Sequence, residues 1–146
     1  PAAAGLFACD LVTGVPVNAR KMRERGFNQA EKIAKFFCAE TGLRHLPDLL
    51  VRGRATEAQR SLSPEERYIN LQDAFRLNEK KLPLKQTDRA EGLPLAGLRI
   101  LLIDDIYTTG ATANHCARVL KEAGAAEVHV LVLATGSDFA HGVFAM

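Results

Sequence analysis

The feature that most constrains the fold is a pair of apolar runs in the last third of the chain. They cover residues 100–103 and 128–133, and apart from His129 they consist of aliphatic residues typical of buried parallel strands. The segment between them, closed by Gly124, carries small and apolar residues at helical spacing, namely Ala113, Cys116, Ala117, Leu120 and Ala123. A strand, a helix and a strand in this order predict a βαβ unit with a right-handed crossover.

The rest of the chain extends this alternation. A β-rich run at residues 11–17 precedes a helix that we expect to begin after Asn28, with Glu31 completing a capping box, and to stop before Gly42. Shorter elements are expected as a strand at residues 48–51, a helix that begins after Ser63 and a strand at residues 74–77. The pattern predicts an α/β fold with a central, mostly parallel sheet of about five strands and helices on both faces.

Length and composition are those of one globular domain. The chain has 146 residues, of which 47% are hydrophobic and 25% charged. We expect a single domain with a core at residues 10–135, a lead-in at 1–9 and a tail at 136–146. No apolar run is long enough to span a membrane, and the net charge of +2 does not by itself imply a nucleic acid or membrane partner.

The three cysteines lie far apart and form no C-x-x-C pair, so no local zinc or redox motif is present. An odd number of cysteines in a chain of this composition predicts reduced thiols and a cytoplasmic protein. Cys38 and Cys116 fall on apolar faces of the expected helices, and we expect both to be buried.

Two kinds of polar residue follow the run at 100–103, in a turn that we expect at residues 104–110. Hydroxyls, a glycine and backbone N–H groups at a helix start suit a phosphate dianion, and they come from Thr108, Thr109, Gly110, Ala111 and Thr112. Asp104 and Asp105 would repel a phosphate, so they indicate sugar hydroxyls or Mg²⁺. The pattern predicts a ribose 5-phosphate site. The alternative is an ordinary strand–loop–helix connection in which Asp105 caps the helix.

Residues 101–112 closely resemble the phosphoribosyl pyrophosphate (PRPP) motif of type I phosphoribosyltransferases. Tyr107 is bulkier than the aliphatic residue that most members carry at this place, which we expect to alter the rim of the pocket. The sequence contains neither G-x-x-x-x-G-K-[ST] nor a G-x-G-x-x-G after a strand, so neither an NTPase nor a dinucleotide fold is indicated.

This resemblance implies a binding or catalytic role for two basic segments. The first follows the first strand, where the family has a pyrophosphate-binding loop, and contains Arg20, Lys21, Arg23 and Arg25. The second, at residues 52–60, falls where the family has a flexible catalytic loop that closes over the diphosphate, and contains Arg54, Thr56, Gln59 and Arg60. For the first segment, the alternative is a solvated charged face.

Blocks around these segments resemble the ComF/GntX branch of the family over residues 10–135. They are residues 15–17, 23–29 and 54–56, with Gln59, Leu62, Arg67, Asn70, Ala74 and Phe75. That branch is associated with bacterial competence and DNA uptake, and in some members with gluconate utilisation. Its members usually carry an N-terminal four-cysteine zinc ribbon, which this sequence lacks; with Pro1 in place of Met, we expect a piece of a longer protein.

The resemblance implies a PRPP-dependent phosphoribosyltransferase. Asp104 and Asp105 would be the catalytic pair that holds the ribose diol, and Mg²⁺ would accompany PRPP, with no direct protein ligation of the metal assigned. Ligands would be PRPP or ribose 5-phosphate, proteins of the competence machinery are expected partners, and a homodimer is allowed.

Two alternatives to an enzyme remain open. The first is a non-catalytic PRPP-binding or nucleotide-binding regulatory module that acts through protein partners, since no motif identifies the acceptor. The second is direct DNA contact through residues 20–35, where cations outnumber acids. The aromatic content of 6% argues against stacking on single strands and makes this alternative the weakest.

Overall fold

The computed structural model describes residues 8–17, 19–52, 63, 74–82, 92–107, 110–135 and 143–145. Within these ranges the order is β1 (Leu11–Gly14), α1 (Ala19–Arg25), α2 (Gln29–Thr41), β2 (Leu50–Arg52), β3 (Phe75–Leu77), a 3-10 turn (Glu79–Lys81), β4 (Arg99–Tyr107), α3 (Ala111–Glu122), β5 (Glu127–Thr135) and β6 (Val143–Ala145). None of the helices in these ranges has both the length and the apolar character needed to span a lipid bilayer.

The central sheet has the strand order β1-β4-β5-β6. Strands β1, β4 and β5 are parallel, and β6 is antiparallel to β5. Residues 44–46 lie alongside the other edge of β1, where Val12 donates its N–H to Arg44 O and accepts from Leu46 N. Strands β2 and β3 form a separate antiparallel ribbon. The predicted α/β fold is confirmed, with four strands in the central sheet over the described residues.

Alternation along the strands divides the core between the two faces of the sheet, because neighbouring side chains point to opposite faces. One face carries Val12, Leu101 and Ile103 and is covered by α2. The other carries Leu11, Ile100 and Leu102 and is covered by α3 and by the β2–β3 ribbon. Helices therefore lie on both faces, as the sequence predicts.

The helix prediction for α2 is confirmed, since Asn28 caps its start and Gly42 its end. The expected burial of Cys38 and Cys116 is confirmed as well, and the remaining cysteine, Cys9, is also buried. The helix expected after Ser63 lies outside the described residues.

Two predictions about the ends of strands are wrong. The basic segment after β1 is predicted as a loop but forms helix α1, because its residues are good helix formers and Arg20 pairs with Glu24 at 3.0 Å, one helical turn away. The turn predicted at residues 104–110 begins later, because β4 stays paired with β5 as far as Tyr107. Asp104 and Asp105 are therefore strand residues.

Candidate functional site

A cavity of about 490 Å³ lies at the carboxyl ends of β1 and β4. In an open parallel sheet this edge is where ligands bind. Its lining comes from six separate stretches of the chain and consists of Val15, Pro16, Val17, Lys21, Arg25, Ala30, Arg52, Asp104, Asp105, Gly110, Ala111, Thr112 and Ala113. The structure thus brings most of the described residues among the predicted site residues to one place.

The two aspartates point to opposite faces of the sheet. Leu102 belongs to the core beneath α3 and Ile103 to the core beneath α2, so by alternation Asp104 follows the α3 face and Asp105 the α2 face. Asp105 donates its N–H to Asp104 Oδ1 over 2.9 Å, which holds the first carboxylate at the strand end. The cavity therefore has a carboxylate on either side of β4.

The amino end of α3 forms one wall of the cavity. Gly110 precedes the helix with φ of 81°, a left-handed conformation that favours glycine, and no side chain caps the helix. The first N–H groups of a helix have no partners within it, and they carry the positive end of the helix dipole. This wall, which includes Ala111 and Thr112, suits an anionic group.

Helix α1 contributes cations to the cavity. Arg25 Nη1 lies 4.0 Å from Asp105 Oδ2, and Lys21 also lines the cavity. Two other predicted cations of the segment do not line it: Arg20 pairs with Glu24 on the exposed helix surface, and Arg23 is exposed.

The end of β1 is held by a carboxylate from α2. Glu31 Oε1 accepts hydrogen bonds from Gly14 N at 2.8 Å and from Asp48 N at 3.3 Å. Glu31 Oε2 lies 2.7 Å from His45 Nε2. The carboxylate is only 13% exposed. It ties β1, α2 and the segment beside β1 together below the cavity.

The backbones of β1 and α2 approach each other closely at Gly14, which places the Glu31 carboxylate within hydrogen-bond distance of Gly14 N. A Cβ on Gly14 would lie 2.8 Å from Glu31 N and 2.9 Å from Ala30 C, so a side chain there would push α2 away from β1. Asn28 adds a second tie, since its Nδ2 donates to Val15 O at 3.1 Å.

The predicted capping box is formed only in part. Asn28 Oδ1 accepts from Glu31 N at 3.4 Å, as a helix cap should. The Glu31 carboxylate, however, turns to Gly14 instead of reaching back to Asn28, because β1 lies within reach. Sequence reasoning missed this role, and its only local signal was the capping motif itself.

Arg52 is a cavity residue that sequence reasoning assigned to a loop. It is the last residue of β2, stands opposite Phe75 in the ribbon, and its guanidinium carbon lies 4.9 Å from the centre of that ring. Burial lowers the pKa of Arg52, and the negative charge of Asp104 acts in the opposite direction. The strand predicted at residues 48–51 is present but extends to Arg52, because the apolar pattern ends one residue before the strand does. Arg52 is the first residue of the second basic segment, but no sequence signal distinguished it as a cavity residue.

Six predicted site residues lie outside the described residues. They are Thr108 and Thr109 of the phosphate turn, and Arg54, Thr56, Gln59 and Arg60 of the second basic segment. The roles given to all of the site residues stay predictions.

Comparison with known proteins identifies related sequences. A family model described as a phosphoribosyl transferase domain matches residues 54–140. DNA utilization protein YhgH of Salmonella typhimurium is 34% identical over 129 residues, which are 88% of this chain and 51% of that protein. Competence protein F of Haemophilus influenzae is 28% identical over 86% of this chain and 50% of its own length. Competence protein ComFC of Streptococcus pneumoniae is 34% identical over 82% of this chain and 45% of its own length.

The chain thus spans about half the length of the curated relatives that it matches. Among solved structures, glutamine PRPP amidotransferase from Bacillus subtilis, complexed with ADP and GMP, superposes with a TM-score of 0.51 at 21% identity. The match covers 85% of this chain and 22% of that one. The structure of the allosteric regulatory enzyme of purine biosynthesis superposes with a TM-score of 0.52 at 22% identity. That match covers 88% of this chain and 24% of the other. These two likenesses concern the fold alone.

Proposed function

This chain belongs to the phosphoribosyl transferase domain family, in its ComF-like branch, and from that membership we propose that the cavity binds PRPP. The observation that carries the proposal is the division of charge around β4. An anion-binding helix end and a cationic helix flank two carboxylates in one cavity. A ligand with an anionic group at each end and hydroxyls between them matches that order.

Each part of PRPP has a counterpart in the cavity. The 5-phosphate accepts hydrogen bonds at the amino end of α3, where Thr112 stands. The ribose hydroxyls donate to Asp104 and Asp105. The diphosphate lies against Lys21 and Arg25, and Arg25 provides a planar fork for two of its oxygens.

The donor set also fits Mg²⁺. Carboxylate oxygens are hard ligands, and Mg²⁺ is commonly held by one or two carboxylates together with ligand phosphates and water. Asp104 and Asp105 supply those carboxylates. Over the described part of the chain, no cluster of three or more His, Cys, Asp or Glu side chains could hold a metal alone, so PRPP itself would complete the coordination. Bound there, Mg²⁺ neutralises negative charge on the diphosphate.

Transfer of the phosphoribosyl group would need no protein nucleophile. As the bond from the ribose C1 to the diphosphate breaks and the acceptor atom forms its bond to C1, negative charge would grow on the departing pyrophosphate oxygen and positive charge on the sugar. Lys21 and Arg25 would stabilise the negative charge on the departing oxygen, and the two carboxylates would orient the sugar. Catalysis would therefore come from positioning and electrostatics.

A second candidate function is a regulatory module that binds PRPP without turnover. It is favoured by the names of the relatives, which refer to competence and DNA utilization, and by the lack of any described motif for an acceptor. For either function we propose a link to bacterial competence through protein partners, in a cytoplasmic protein that keeps its three buried thiols reduced.

Calorimetry with PRPP and Mg²⁺ tests the binding proposal. We expect saturable binding that weakens at least about tenfold in Asp104→Asn, because the neutral amide donates as well as accepts and attracts neither Mg²⁺ nor hydroxyl groups as strongly. Asp48→Asn is a matched control, since Asp48 is exposed, lies outside the cavity lining and has φ of 57°, which asparagine tolerates. Absence of binding by the wild type contradicts the proposal, as does an Asp104→Asn variant that binds like the control.

Pyrophosphate release separates the enzyme from the module. A panel of purines, pyrimidines and orotate is incubated with PRPP, Mg²⁺ and the protein, and free pyrophosphate is measured. Release above background with any acceptor supports the enzyme. Tight binding of PRPP with no release over the whole panel supports the module.

A further inference from the structure

Helices cover the α2 face of the central sheet unevenly. Helix α2 packs on β1 and β4, whereas the helix that packs on β5 is α3, which lies on the other face. Leu131 pairs with Ile103 and therefore points to the α2 face, and alternation along β5 places Glu127 and Leu133 on that face as well. Over the described residues, the α2 face of β5 thus lacks the helical cover that β1 and β4 have.

Exposed apolar side chains border this uncovered part of the sheet. Phe36 on α2 is 70% exposed, and Leu133 on β5 is 49% exposed. Three partly buried residues that pack against the core of the same face adjoin them, namely Ile33 and Phe37 on the helix and Leu131 on the strand. We call these five residues the α2–β5 surface. Contiguous exposed apolar residues mark an interaction site, whereas single ones do not.

Charges of both signs surround the α2–β5 surface. On the exposed side of α2, Lys32 and Lys35 outnumber Glu40. On β5, the side chain of Glu127 is 57% exposed. A nucleic acid or an acidic protein would be attracted to the lysines but repelled by Glu127, whereas a second copy of this chain offers an opposite charge to each. The net charge of +2 is too small to oppose such self-association.

The direction of α2 makes the surface self-complementary. Helix α2 begins at the carboxyl end of β1, where Asn28 bonds to Val15 O, and runs toward the amino ends of the strands. Lys35 and Phe36 lie in its second half, and Glu127 is the first residue of β5. A two-fold axis parallel to the strands therefore brings Phe36 of each copy onto β5 of the other and Lys35 toward Glu127. An isologous interface needs one patch of this kind, with a ridge and the surface that receives it.

We propose that two copies of this chain associate through the α2–β5 surface, so that α2 of each copy covers the exposed face of β5 on the other. Phe36 packs on Leu131 and Leu133 of the second copy, and Lys35 faces its Glu127 at the rim. None of the five surface residues lines the cavity, so the association does not depend on the proposed binding of PRPP. The two proposals can therefore fail separately.

Sedimentation equilibrium of the 146-residue chain measures the association. Between about 1 and 100 µM protein we expect a reversible species of twice 15.9 kDa. Phe36→Glu and Leu133→Glu should each raise the dimer dissociation constant at least about tenfold, because each would bury a carboxylate among apolar side chains. Met22→Glu is the matched control, since Met22 is an exposed apolar residue on α1, outside the surface. Its dissociation constant should stay within about twofold of that of the wild type.

Urea unfolding is recorded for every variant, so that loss of folding is not mistaken for loss of association. Phe36 is mostly exposed, and its replacement should leave the free energy of unfolding of the monomer within about 0.5 kcal/mol. If Leu133→Glu does not fold, Leu133→Thr takes its place, because threonine suits a strand and puts a hydroxyl into the apolar contact. The dimer dissociation constant should then still rise about threefold or more.

An exchange of charges tests whether the occupant is a second copy. Lys35→Glu and Glu127→Lys should each raise the dissociation constant about threefold, because each change places like charges opposite one another. The double variant again has opposite charges at this contact, and its dissociation constant should return to within about twofold of the wild-type value.

Four results would overturn the proposal. The first is a wild type that stays monomeric up to about 100 µM. The second is a dimer that persists unchanged in folded variants at Phe36 and Leu133, because association then uses another surface. The third is a heavier species whose ultraviolet absorbance shows bound nucleic acid. The fourth is a double charge variant that associates no better than the single variants, because Lys35 and Glu127 of two copies then do not meet.

Discussion

The ends of β1 and β4 meet at the same cavity but are built in different ways. The end of β1 is held by side chains from elsewhere in the chain, chiefly Glu31, which bonds to Gly14 and to the segment at residues 45–48. The end of β4 passes into α3 within a few residues, with Gly110 before the helix and no side-chain cap. We therefore predict that substitutions on the β1 side change stability and that substitutions on the β4 side change ligand binding.

The largest effect on stability should follow from Glu31→Ala. The change leaves Gly14 N and Asp48 N without their acceptor and His45 without its partner, and because Gly14 is buried we expect a loss of about 3 kcal/mol in the free energy of unfolding. Urea unfolding measures it. Glu40→Ala, at an exposed position on the same helix, is the control. Equal losses in the two variants would show that the carboxylate does not hold the β1 end.

Gly14→Ala tests the close approach of α2 to β1. The new Cβ would meet backbone atoms of Glu31 and Ala30 below 3.0 Å, and these cannot rotate away, so we expect a loss of about 2 kcal/mol. The loss should increase in Gly14→Val, because a larger side chain forces a larger shift. Unfolding midpoints within error of the wild type for both variants would disprove the constraint.

Asn28→Ala should cost about 1 kcal/mol of unfolding free energy, since it removes the cap of α2. Asn28→Asp separates the two functions of the side chain, because it keeps the acceptor for Glu31 N but loses the donor to Val15 O. If Asn28→Asp is as unstable as Asn28→Ala, the tie to Val15 matters more than the cap.

Thr112→Ala tests whether the β4 side of the cavity contributes to ligand binding and not to stability. The side chain lines the cavity at the amino end of α3, so we expect stability within about 0.5 kcal/mol of the wild type and binding of ribose 5-phosphate weakened about tenfold. Asn114→Ala, at an exposed position on the same helix, should change neither quantity. A large loss of stability in Thr112→Ala would break the division between the two strand ends.

The smallest effect concerns pH. Burial, and secondarily the charge of Glu31, raises the pKa of the Cys38 thiol from 9.0 to about 11. Because the folded state keeps the proton longer than the unfolded state, the stabilisation is complete below pH 9 and is lost as the pH rises through about 11. The urea midpoint should therefore fall over this interval more in the wild type than in Cys38→Ala. Parallel pH profiles would contradict this prediction.

Much of the fold follows from local pattern. The caps of α2 at Asn28 and Gly42 and the apolar spacing of α3 are properties of contiguous sequence, and the structure confirms both. The basic segment at residues 19–25 was harder to predict, because its charged residues suit a solvated loop as well as a short helix. Its residues are good helix formers, and the exposed i,i+4 pair of Arg20 with Glu24 adds a small further stabilisation to the helix.

The candidate site also contains residues that local sequence pattern predicts and residues that it does not. The donors and carboxylates of residues 104–112 are adjacent in sequence, so the sequence alone predicts a ligand-binding segment, and the described polar residues of that segment line the cavity. Arg52 could not be predicted as a cavity residue, because its contribution depends on the β2–β3 ribbon packing against α3. For Glu31, local spacing predicts a capping-box bond to Asn28 at the start of its own helix. In the folded chain its carboxylate instead accepts a hydrogen bond from Gly14 N on β1.

The sequence by itself determined the βαβ unit of the last third and the adjacency of Asp104 and Asp105 to a helix start, because helical period, strand alternation and capping act over a few residues. Only the tertiary structure decided that β4 continues through Asp104 and Asp105, so that the two carboxylates face different sides of the sheet and Asp105 approaches Arg25. It also decided that Glu31 fastens β1. Those arrangements join residues far apart in sequence, and burial and close approach select them only once the sheet and its helices are packed.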